Sequence, residues 1–401
     1  MTAKPDLDLP PVTLVGHPYA RIGMGEQLRS HIRALQAVHV QPGVLDIFRH
    51  AGRDDPAHEA LIAPLERRDA PPGLRVFHVN GDEVDRVQQV FAERGGDFGA
   101  GVNVVVPAWE LPAYPAVWVE KLRRFDEIWA ISRFVQSSLA AAGLPSRLVG
   151  QSVECPVFPT LPRRFFDIRE SAFVLLHFLD LTSYASRKNP EAALELLGRL
   201  AAARPHADLM LVLKVKEADR AAADWAAGFS AQGAKHGVHL KVIDAPLDSL
   251  ATYSLIRACD CFVSLHRAEG FGRGLGEAMA LGRLALGTAW SGNTDFMDAE
   301  NSLPVGYRLA RVKRGAYPHA AGQSWAEPDL AQAQAMLLAM LDDPAHARAQ
   351  AARGRAAVLA SHGNRAVGLR LLQGLQALAP QVPRSRPTKA AEKPRRARVP
   401  A

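Results

Sequence analysis

The stretch that decides the fold is His266-Arg-Ala-Glu-Gly-Phe-Gly-Arg-Gly-Leu-Gly-Glu-Ala-Met-Ala-Leu-Gly282. The apolar run 261–265 before it predicts a buried strand, and the run 276–281 predicts a helix that ends at Gly282. A glycine-rich loop that leads into a helix offers free backbone N–H groups and the positive end of the helix dipole. The stretch therefore predicts a phosphate-binding site, called the phosphate seat below, between a strand and a helix.

The same stretch carries two acids, Glu269 and Glu277, eight positions apart. On one helix, eight steps of about 100° would leave them about 80° apart and two turns apart in height. With Glu269 on the loop and Glu277 in the first turns of the helix, both can instead reach one extended ligand across the phosphate seat. A nucleotide-sugar, polar at both ends with phosphate in the middle, is such a ligand. The alternative is a plain glycine-rich turn with two solvated acids.

The pattern His-x-x-Glu-Gly-Phe-Gly, followed by Gly-Glu-Ala-Met-Ala-Leu-Gly, resembles the donor-binding signature of retaining glycosyltransferases of family 4. The resemblance covers residues 12–378 and is carried mainly by segments 261–298, 102–136 and 173–190, and the stretch 102–134 looks like the bacterial polysaccharide and lipopolysaccharide members. It implies the α/β fold called GT-B, in which two doubly wound, Rossmann-like domains face each other across a cleft. A C-terminal helix crosses back onto the first domain.

The resemblance also implies roles for the residues of the stretch. Glu269 would face the transferred sugar, and Glu277 would bind the ribose hydroxyls. The backbone amides after Glu269 would hold sugar hydroxyls. The donor-binding residues implied here are His266, Gly270, Phe271, Gly272, Arg273, Gly274, Leu275 and Glu277.

A second strand–turn–helix pattern lies near the N-terminus. The apolar run 12–16 is followed by a Gly-x-Gly pair, Gly23 and Gly25, and then by residues 27–35 with apolar positions at helical spacing. Leu28 stands where a dinucleotide fingerprint has its third glycine, which disfavours a nicotinamide site. The resemblance implies that Gly23 and Gly25 close on the donor from across the cleft. A tight turn that needs small residues is the alternative.

Polar residues also follow two further predicted strands of this domain. Asn80 and Glu110 each stand after an apolar run, at the carboxyl end of a strand, where α/β folds place ligands. We expect Asn80 and His78 on the acceptor side, and we expect Glu110 to bind the acceptor or to accept its proton. A helix-capping or surface acid is the alternative for Glu110. Many family members have a histidine in this region, and in this chain His78 or His17 can take the role of that histidine.

Three cations are predicted to meet the donor's diphosphate. Arg187 and Lys188 stand just before a helix predicted from Glu191, and two cations beside a helix N-terminus suit a diphosphate. The resemblance implies a basic pair here. Many members have a further arginine a few residues earlier, where this chain has threonine and serine. Lys214, at the end of an apolar strand, either binds phosphate or extends its ammonium group into solvent.

The chain divides into five predicted segments. The proline-rich residues 155–162 indicate a linker, after which the alternation of strands and helices restarts. We predict a flexible leader, an N-terminal acceptor domain, a C-terminal donor-binding domain, a cross-over helix and a disordered basic tail, at 1–11, 12–162, 163–362, 363–380 and 381–401. The strands are predicted at 12–16, 44–48, 74–80, 102–107, 127–132, 146–150, 173–179, 211–215, 238–244, 261–265 and 284–288. Alanine- and leucine-rich helices are predicted at 327–342 and 344–376.

The formal net charge of +7 is mostly a property of the C-terminus. Residues 384–401 hold seven arginines and lysines against one glutamate, which leaves +1 for the rest of the chain. This tail is rich in proline and alanine and has no apolar period, so we expect disorder. Weak adhesion to anionic lipid is one interpretation and a solubilising appendage is the other. We expect no nucleic-acid partner.

Composition excludes several classes of protein. No run approaches the roughly 18 apolar residues of a membrane span, and the N-terminus lacks an apolar signal segment. Three cysteines without a Cys-x-x-Cys pair predict reduced thiols and a cytoplasmic protein, peripheral at the inner membrane face if the tail binds lipid. The chain has no Asp-x-Asp motif at a strand end. We therefore expect neither a divalent metal nor another cofactor.

The resemblance implies a retaining hexosyltransferase, and the missing Asp-x-Asp motif predicts that it is metal-independent. It would move a sugar from a nucleoside-diphosphate sugar to a hydroxyl of a saccharide or lipid-linked saccharide. Arg187 and Lys188 would stabilise the leaving diphosphate, and Glu269 is not expected to be a covalent nucleophile. One alternative is a sugar-nucleotide epimerase of the same fold, which would release free sugar or an epimer without an acceptor. The other is a catalytically silent nucleotide-sugar-binding protein.

Overall fold

A computed structural model describes residues 9–49, 53–69, 71–216, 220–235 and 238–383 of the chain. Most of the predicted leader and nearly all of the predicted basic tail lie outside these ranges. Within them, no helix is long and apolar enough to cross a bilayer.

The first domain is built on a six-stranded parallel sheet with the strand order β2-β1-β3-β4-β5-β6. Strands β1 to β4 are buried along their whole length, which is why they are mostly apolar, with a single buried polar residue in each of β2, β3 and β4: Asp46, Arg75 and Asn103. The strands are β1 (Val12–Gly16), β2 (Gly43–Asp46), β3 (Leu74–Phe77), β4 (Val102–Val105), β5 (Glu127–Ala130) and β6 (Arg147–Leu148). The helices between them are α1 (Gly23–Gln36), α2 (Pro56–Ile62), α3 (Val84–Glu93), α4 (Ala116–Leu122) and α5 (Arg133–Ala141).

The second domain repeats this plan with a parallel sheet of order β12-β11-β10-β7-β8-β9. Its strands are β7 (Phe173–Asp180), β8 (Leu209–Lys216), β9 (His239–Ile243), β10 (Cys261–Ser264), β11 (Leu284–Thr288) and β12 (Leu303–Val305). Its helices are α6 (Ala185–Lys188), α7 (Pro190–Ala203), α8 (Arg220–Lys235), α9 (Ser249–Ala258) and α10 (Arg273–Ala280). Strand β10 lies between β7 and β11, so the loop after it opens at the middle of the sheet edge.

An antiparallel hairpin, β13 (Tyr307–Arg311) and β14 (Ser324–Pro328), follows the second sheet. The sequence analysis did not predict it and assigned the end of β14 to a helix. Three helices come after it: α11 (Leu330–Asp342), α12 (Pro344–His362) and α13 (Asn364–Leu378). Residues 344–376 were predicted as one helix, but Gly363 has extended dihedral angles and separates α12 from α13.

Helix α13 returns to the first domain and packs on α1. A Cβ atom at Gly368 would lie 2.1 Å from the carbonyl oxygen of Ala34, so the two helix backbones approach as closely as only glycine permits. The predicted crossing back is confirmed. A continuous cluster of buried apolar side chains contains members of both sheets as well as α10, α12 and α13, and it joins the two domains.

Candidate active site

The loop after β10 runs from Leu265 to Gly272 and leads into α10. Gly272 has a positive φ of 88°, and a Cβ atom there would lie 2.8 Å from that of Asn293. Among the described residues no side chain caps the start of α10. The N–H groups of Leu275 and Gly276 both donate to the carbonyl of Gly272, at 3.1 and 3.2 Å, so within the described residues the free donors at the start of α10 are the N–H groups of Arg273 and Gly274. This is the predicted strand–loop–helix arrangement.

Glu269 lies in this loop and is held by two cations. Its Oε2 atom is 3.2 Å from Nη1 of Arg187, and its Oε1 atom forms an ion pair with the ammonium group of Lys188. The side chains of Glu269 and Arg187 are both buried. Burial opposes the ionisation of Glu269, but the charges of Lys188 and Arg187 outweigh it and lower the pKa of the carboxyl to about 2. Glu269 is therefore an anion at every physiological pH.

The two cations lie at the end of the short helix α6, just before the following helix. Asn189 ends α6 in the left-handed conformation with φ of 57°, and α7 begins one residue later at Pro190. The side chain of Asn189 donates to the carbonyl of Leu265 at 2.9 Å, and Arg187 donates to that of Ala268 at 2.8 Å. These bonds attach the basic segment to the loop that carries Glu269.

The backbone of Glu269 is fixed by a second loop, after β11. Its N–H donates to Oγ of Ser291 at 2.9 Å, and its carbonyl accepts from the N–H of Gly292 at 2.9 Å. A Cβ atom at Gly292 would lie 2.1 Å from the carbonyl oxygen of Gly270. Ser291 has φ 77° and ψ −149°, a conformation that is costly for a residue with a side chain. No role was predicted for this segment from the sequence.

Glu110 approaches the site from the first domain. It lies in the loop after β4, and its Oε2 atom accepts a 2.5 Å hydrogen bond from the hydroxyl of Tyr317. Tyr317 belongs to the loop between β13 and β14, in the second domain. Burial disfavours the charged form of Arg187, but Glu269 and then Glu110 more than compensate and raise its pKa. The two acids, one from each domain, thus flank the same guanidinium group. Nothing in the sequence around Tyr317 pointed to this contact.

The first domain also touches the loop after β10 directly. The hydroxyl of Ser132 donates to the carbonyl of Gly270 at 2.6 Å. A Cβ atom at Gly270 would lie 2.9 Å from the carbonyl oxygen of Trp109, the neighbour of Glu110. A glycine at position 270 is therefore required by the close approach of the two domains.

Glu277 lies in α10 and is part of a buried charge network. Nε of Arg273 is 2.9 Å from its Oε1 atom, and Nη2 of Arg273 is 3.0 Å from Oε1 of Glu26 in α1. Glu26 also pairs with Arg29 at 2.8 Å and with Arg33. Burial raises the pKa of Glu277 although Arg273 opposes the shift, whereas the three arginines hold the pKa of Glu26 well below its usual range despite its burial.

The two N-terminal glycines have different surroundings. Helix α1 begins at Gly23 rather than at residue 27, so the Gly-x-Gly pair forms its first turn. A Cβ atom at Gly25 would lie 2.2 Å from the carbonyl oxygen of Ala20, so the turn itself requires this glycine. At Gly23 no described atom lies within 4 Å of such a Cβ, which leaves room for a ligand.

Other predicted site residues lie behind the cleft surface. His266 is fully buried, with Nδ1 at 2.9 Å from the carbonyl oxygen of Ser264 and Nε2 at 3.1 Å from Oδ1 of Asn293. His78 is also fully buried and lies against His31, with ring centroids 4.8 Å apart. Burial lowers the pKa of both His266 and His78, which keeps both rings neutral.

Some predicted residues reach a ligand only through the backbone or through a neighbour. The side chains of Phe271 and Leu275 are buried in the core, and the N–H of Leu275 already donates to the carbonyl of Gly272 at 3.1 Å, so of these two residues only Phe271 has an N–H group left for a ligand. A Cβ atom at Gly274 would lie 2.5 Å from the ring of Phe262, which makes that glycine a packing requirement. Asn80 accepts from the N–H of Ala108 at 2.9 Å and so positions the start of the loop that carries Glu110.

Lys214 is half-buried in β8, and its ammonium group donates to the carbonyl of Val215 at 2.5 Å. Burial lowers the pKa of this ammonium group to about 8, against the opposing charge of Asp244. Lys214 therefore carries its charge at neutral pH and loses it in mild alkali. Among the described residues, no three histidine, cysteine or carboxylate side chains are grouped to hold a metal ion.

Several solved structures match nearly the whole chain. HepE from Anabaena in complex with UDP-glucose superimposes with a TM-score of 0.65 at 12% identity, over 92% of this chain and 100% of that one. Sucrose-phosphate synthase from Thermosynechococcus elongatus gives 0.62 at 16% identity, over 92% and 99%. The apo structure of OtsA gives 0.59 at 11% identity, over 91% and 99%.

No protein-family model matches the sequence, and no curated protein matches it. At identities this low the structural likeness shows the fold alone. The chain has the GT-B fold, with two six-stranded parallel sheets and a last helix that contacts α1. The predicted fold class is confirmed.

Proposed function

We propose that the protein is a retaining glycosyltransferase that moves a sugar from a nucleoside-diphosphate sugar to a hydroxyl group. The observation that carries this proposal is the ion-paired Glu269 beside the uncapped N-terminus of α10. A buried anion, two cations and a row of free N–H groups meet there at the cleft end of the second sheet. That combination suits a sugar joined to a diphosphate better than it suits any single-charge ligand.

The diphosphate is assigned to the cations. Arg187, Lys188 and the N–H groups of α10 would bind its oxygens, and Lys214 would supply a further charge. These groups stabilise the charge that develops on the leaving group as the bond between the sugar carbon and the phosphate oxygen breaks. The donor competes with Glu269 for Lys188, so we expect the ammonium group to move from the carboxylate to the phosphate when the donor binds.

Glu269 is assigned to the sugar. With a pKa of about 2 it remains negative, and a fixed negative charge stabilises a sugar carbon that acquires positive charge. Arg187 still lies 3.2 Å from one of its oxygens when Lys188 moves to the phosphate, so the carboxylate stays weakly basic and is a poor nucleophile. We therefore propose attack by the acceptor on the same face from which the diphosphate leaves. The acceptor's proton passes to the leaving phosphate oxygen or to Glu110.

The acceptor is assigned to the first domain, with Glu110 as its contact at the reacting end. The 2.5 Å hydrogen bond from Tyr317 fixes one oxygen of Glu110, and Asn80 accepts from the N–H of Ala108 at the start of the same loop. We propose a saccharide or a lipid-linked saccharide as the acceptor. A cytoplasmic location at the inner membrane face, with residues 384–401 as the lipid contact, belongs to the same proposal.

The test is a donor panel. The protein is incubated with UDP-, GDP-, ADP- and dTDP-sugars in EDTA, with and without oligosaccharide and lipid-linked acceptors, and nucleoside diphosphate is counted. Release from one donor with transfer of the sugar supports the proposal, and the anomeric configuration of the product, read by NMR, tests retention. Release of an epimer or free sugar without an acceptor indicates an epimerase instead. Nucleotide binding without release under any condition indicates a binding protein.

A further inference from the structure

The first domain contains a polar cavity that shares no lining residue with the site around Glu269. Its volume is about 560 Å³, and it lies between the end of β2, the segment after α2 and the end of α3. Five arginines line it: Arg49, Arg53, Arg67, Arg68 and Arg94. Two carboxylates, Asp46 and Glu66, line it as well, which leaves a surplus of three positive charges.

Arg94 connects two segments of the cavity wall through hydrogen bonds. Its Nη1 atom donates to the carbonyl of Asp46 at 2.6 Å, and its Nη2 atom donates to that of Arg68 at 3.1 Å. The guanidinium group therefore ties the end of β2 to the segment after α2. Its Nε atom is buried and has no hydrogen-bond partner in the described part of the chain. Buried N–H donors in folded proteins normally have an acceptor. The Nε–H group of Arg94 is therefore an unused donor in a residue that lines the cavity.

Three of the other arginines are available to a ligand. Arg53 is already engaged, because it pairs with Glu66 at 2.7 Å and lies 4.3 Å over the ring of Tyr19. Arg49, Arg67 and Arg68 are exposed, and within the described ranges no carboxylate lies within 4.0 Å of their guanidinium groups. A guanidinium group presents parallel N–H donors that match the oxygens of a phosphate. Three of them around one cavity favour a multiply charged oxyanion.

The cavity adjoins the face of the first domain that meets the second. Glu66, in its wall, accepts a 3.1 Å hydrogen bond from Tyr19, which lies in the loop between β1 and α1. Asp55, two residues after Arg53, accepts from the N–H of Ser249 in the second domain at 2.8 Å. A ligand in the cavity therefore contacts the same segment that touches the donor-binding domain.

We propose that this cavity binds the phosphate group of a phosphorylated ligand, in a site separate from the donor diphosphate. Phosphate is the class that the fork geometry and the charge surplus favour, since a single carboxylate needs only one guanidinium group. The phosphate belongs either to a soluble phosphorylated saccharide or to an acidic lipid headgroup. The site does not depend on the proposed glycosyl transfer, because its evidence lies entirely in the first domain.

The test compares three forms of the full chain: the wild type, the cavity triple variant R49Q/R67Q/R68Q and the matched triple variant R86Q/R348Q/R365Q. The matched positions are exposed arginines outside the cavity, so both variants lose the same charge. Inorganic phosphate is titrated into each protein by calorimetry in chloride buffer. We expect the cavity variant to lose one phosphate site or to bind it at least tenfold more weakly, while the matched variant keeps it. Equal binding by all three proteins would overturn the proposal.

A second arm distinguishes the sources of the phosphate. The same three proteins are sedimented with vesicles of phosphatidylglycerol and phosphatidylcholine, and with phosphatidylcholine alone. A lipid headgroup predicts that the cavity variant loses more vesicle binding than the matched variant does. A soluble ligand predicts equal vesicle binding by both variants together with the difference in phosphate binding. Equal melting curves for the two variants establish that the loss is local and not a failure to fold.

Discussion

Nη2 of Arg273, at the start of α10, lies 3.0 Å from Oε1 of Glu26 in the first helix of the other domain. The same guanidinium group faces Glu277 at 2.9 Å, so one buried cation joins an acid of each domain. The helix that carries Glu277 and the helix that begins at Gly23 are thereby held in a fixed relation.

Replacing Arg273 with methionine is expected to destabilise the protein strongly. It leaves Glu277 buried without its partner, and removing one member of a buried ion pair costs about 3–5 kcal/mol. Thermal and urea unfolding of R273M measure the loss. The matched control is R199M, which breaks an exposed i,i+4 pair with Glu195 and should cost about 0.5 kcal/mol or less. If both variants unfold alike, the buried network does not stabilise the closed arrangement.

Replacing Lys188 with alanine should weaken donor binding by about 2 kcal/mol, or about thirtyfold, because a charge-assisted bond to phosphate is lost. Calorimetry with the donor found by the panel gives the affinity. K121A is the control, since Lys121 also pairs with a carboxylate, Asp85, at 2.8 Å but lies outside the cleft. Unchanged affinity in K188A would remove Lys188 from the diphosphate site.

Replacing Tyr317 with phenylalanine tests the assignment of Glu110. The variant loses the 2.5 Å hydrogen bond that orients the carboxylate, so we expect kcat to fall about tenfold while donor affinity stays the same. Glu110→Gln should lower kcat further. Tyr307→Phe, at an exposed position of the same hairpin, should have no effect. A change in donor affinity without a change in kcat would place Tyr317 and Glu110 on the donor side instead.

Donor affinity is expected to fall as pH rises through about 8, because Lys214 loses its charge there. Above that pH, a plot of log Kd for the donor against pH should approach a slope of one, which corresponds to the loss of one proton. K214M should bind the donor more weakly at pH 7 and should lack this slope. The free energy of unfolding must change in the opposite sense and increase with pH. The folded pKa lies below the unfolded value of 10.5, so the unfolded chain holds more protons between pH 8 and 10.5 and stability rises there. Loss of affinity together with loss of stability would attribute the effect to unfolding.

The sequence predicted the strand–loop–helix unit of the candidate site because that unit is local. Glu269, the glycines of the loop and Glu277 lie within one strand–loop–helix unit, and the unit's geometry follows from short-range rules. The fold was predictable for a related reason. Buried parallel strands are continuous apolar runs, so the two sheets are visible as two series of such runs.

The contacts between domains were not predictable in this way. Tyr317 reaches Glu110 over 207 positions, and Arg273 reaches Glu26 over 247. Neither tyrosine nor arginine at these positions has a local pattern that indicates its partner. The hairpin β13–β14 was missed because its strands are exposed or of mixed polarity and do not form apolar runs.

The most direct test of the account is the turnover of the identified donor by Glu269→Gln beside the wild type. Glutamine keeps the shape but removes the charge that faces Arg187 and Lys188. We predict that release of nucleoside diphosphate falls at least a hundredfold in E269Q, while calorimetry shows that the nucleotide still binds. If E269Q turns the donor over at the wild-type rate, Glu269 is not at the reacting centre and the central claim is wrong.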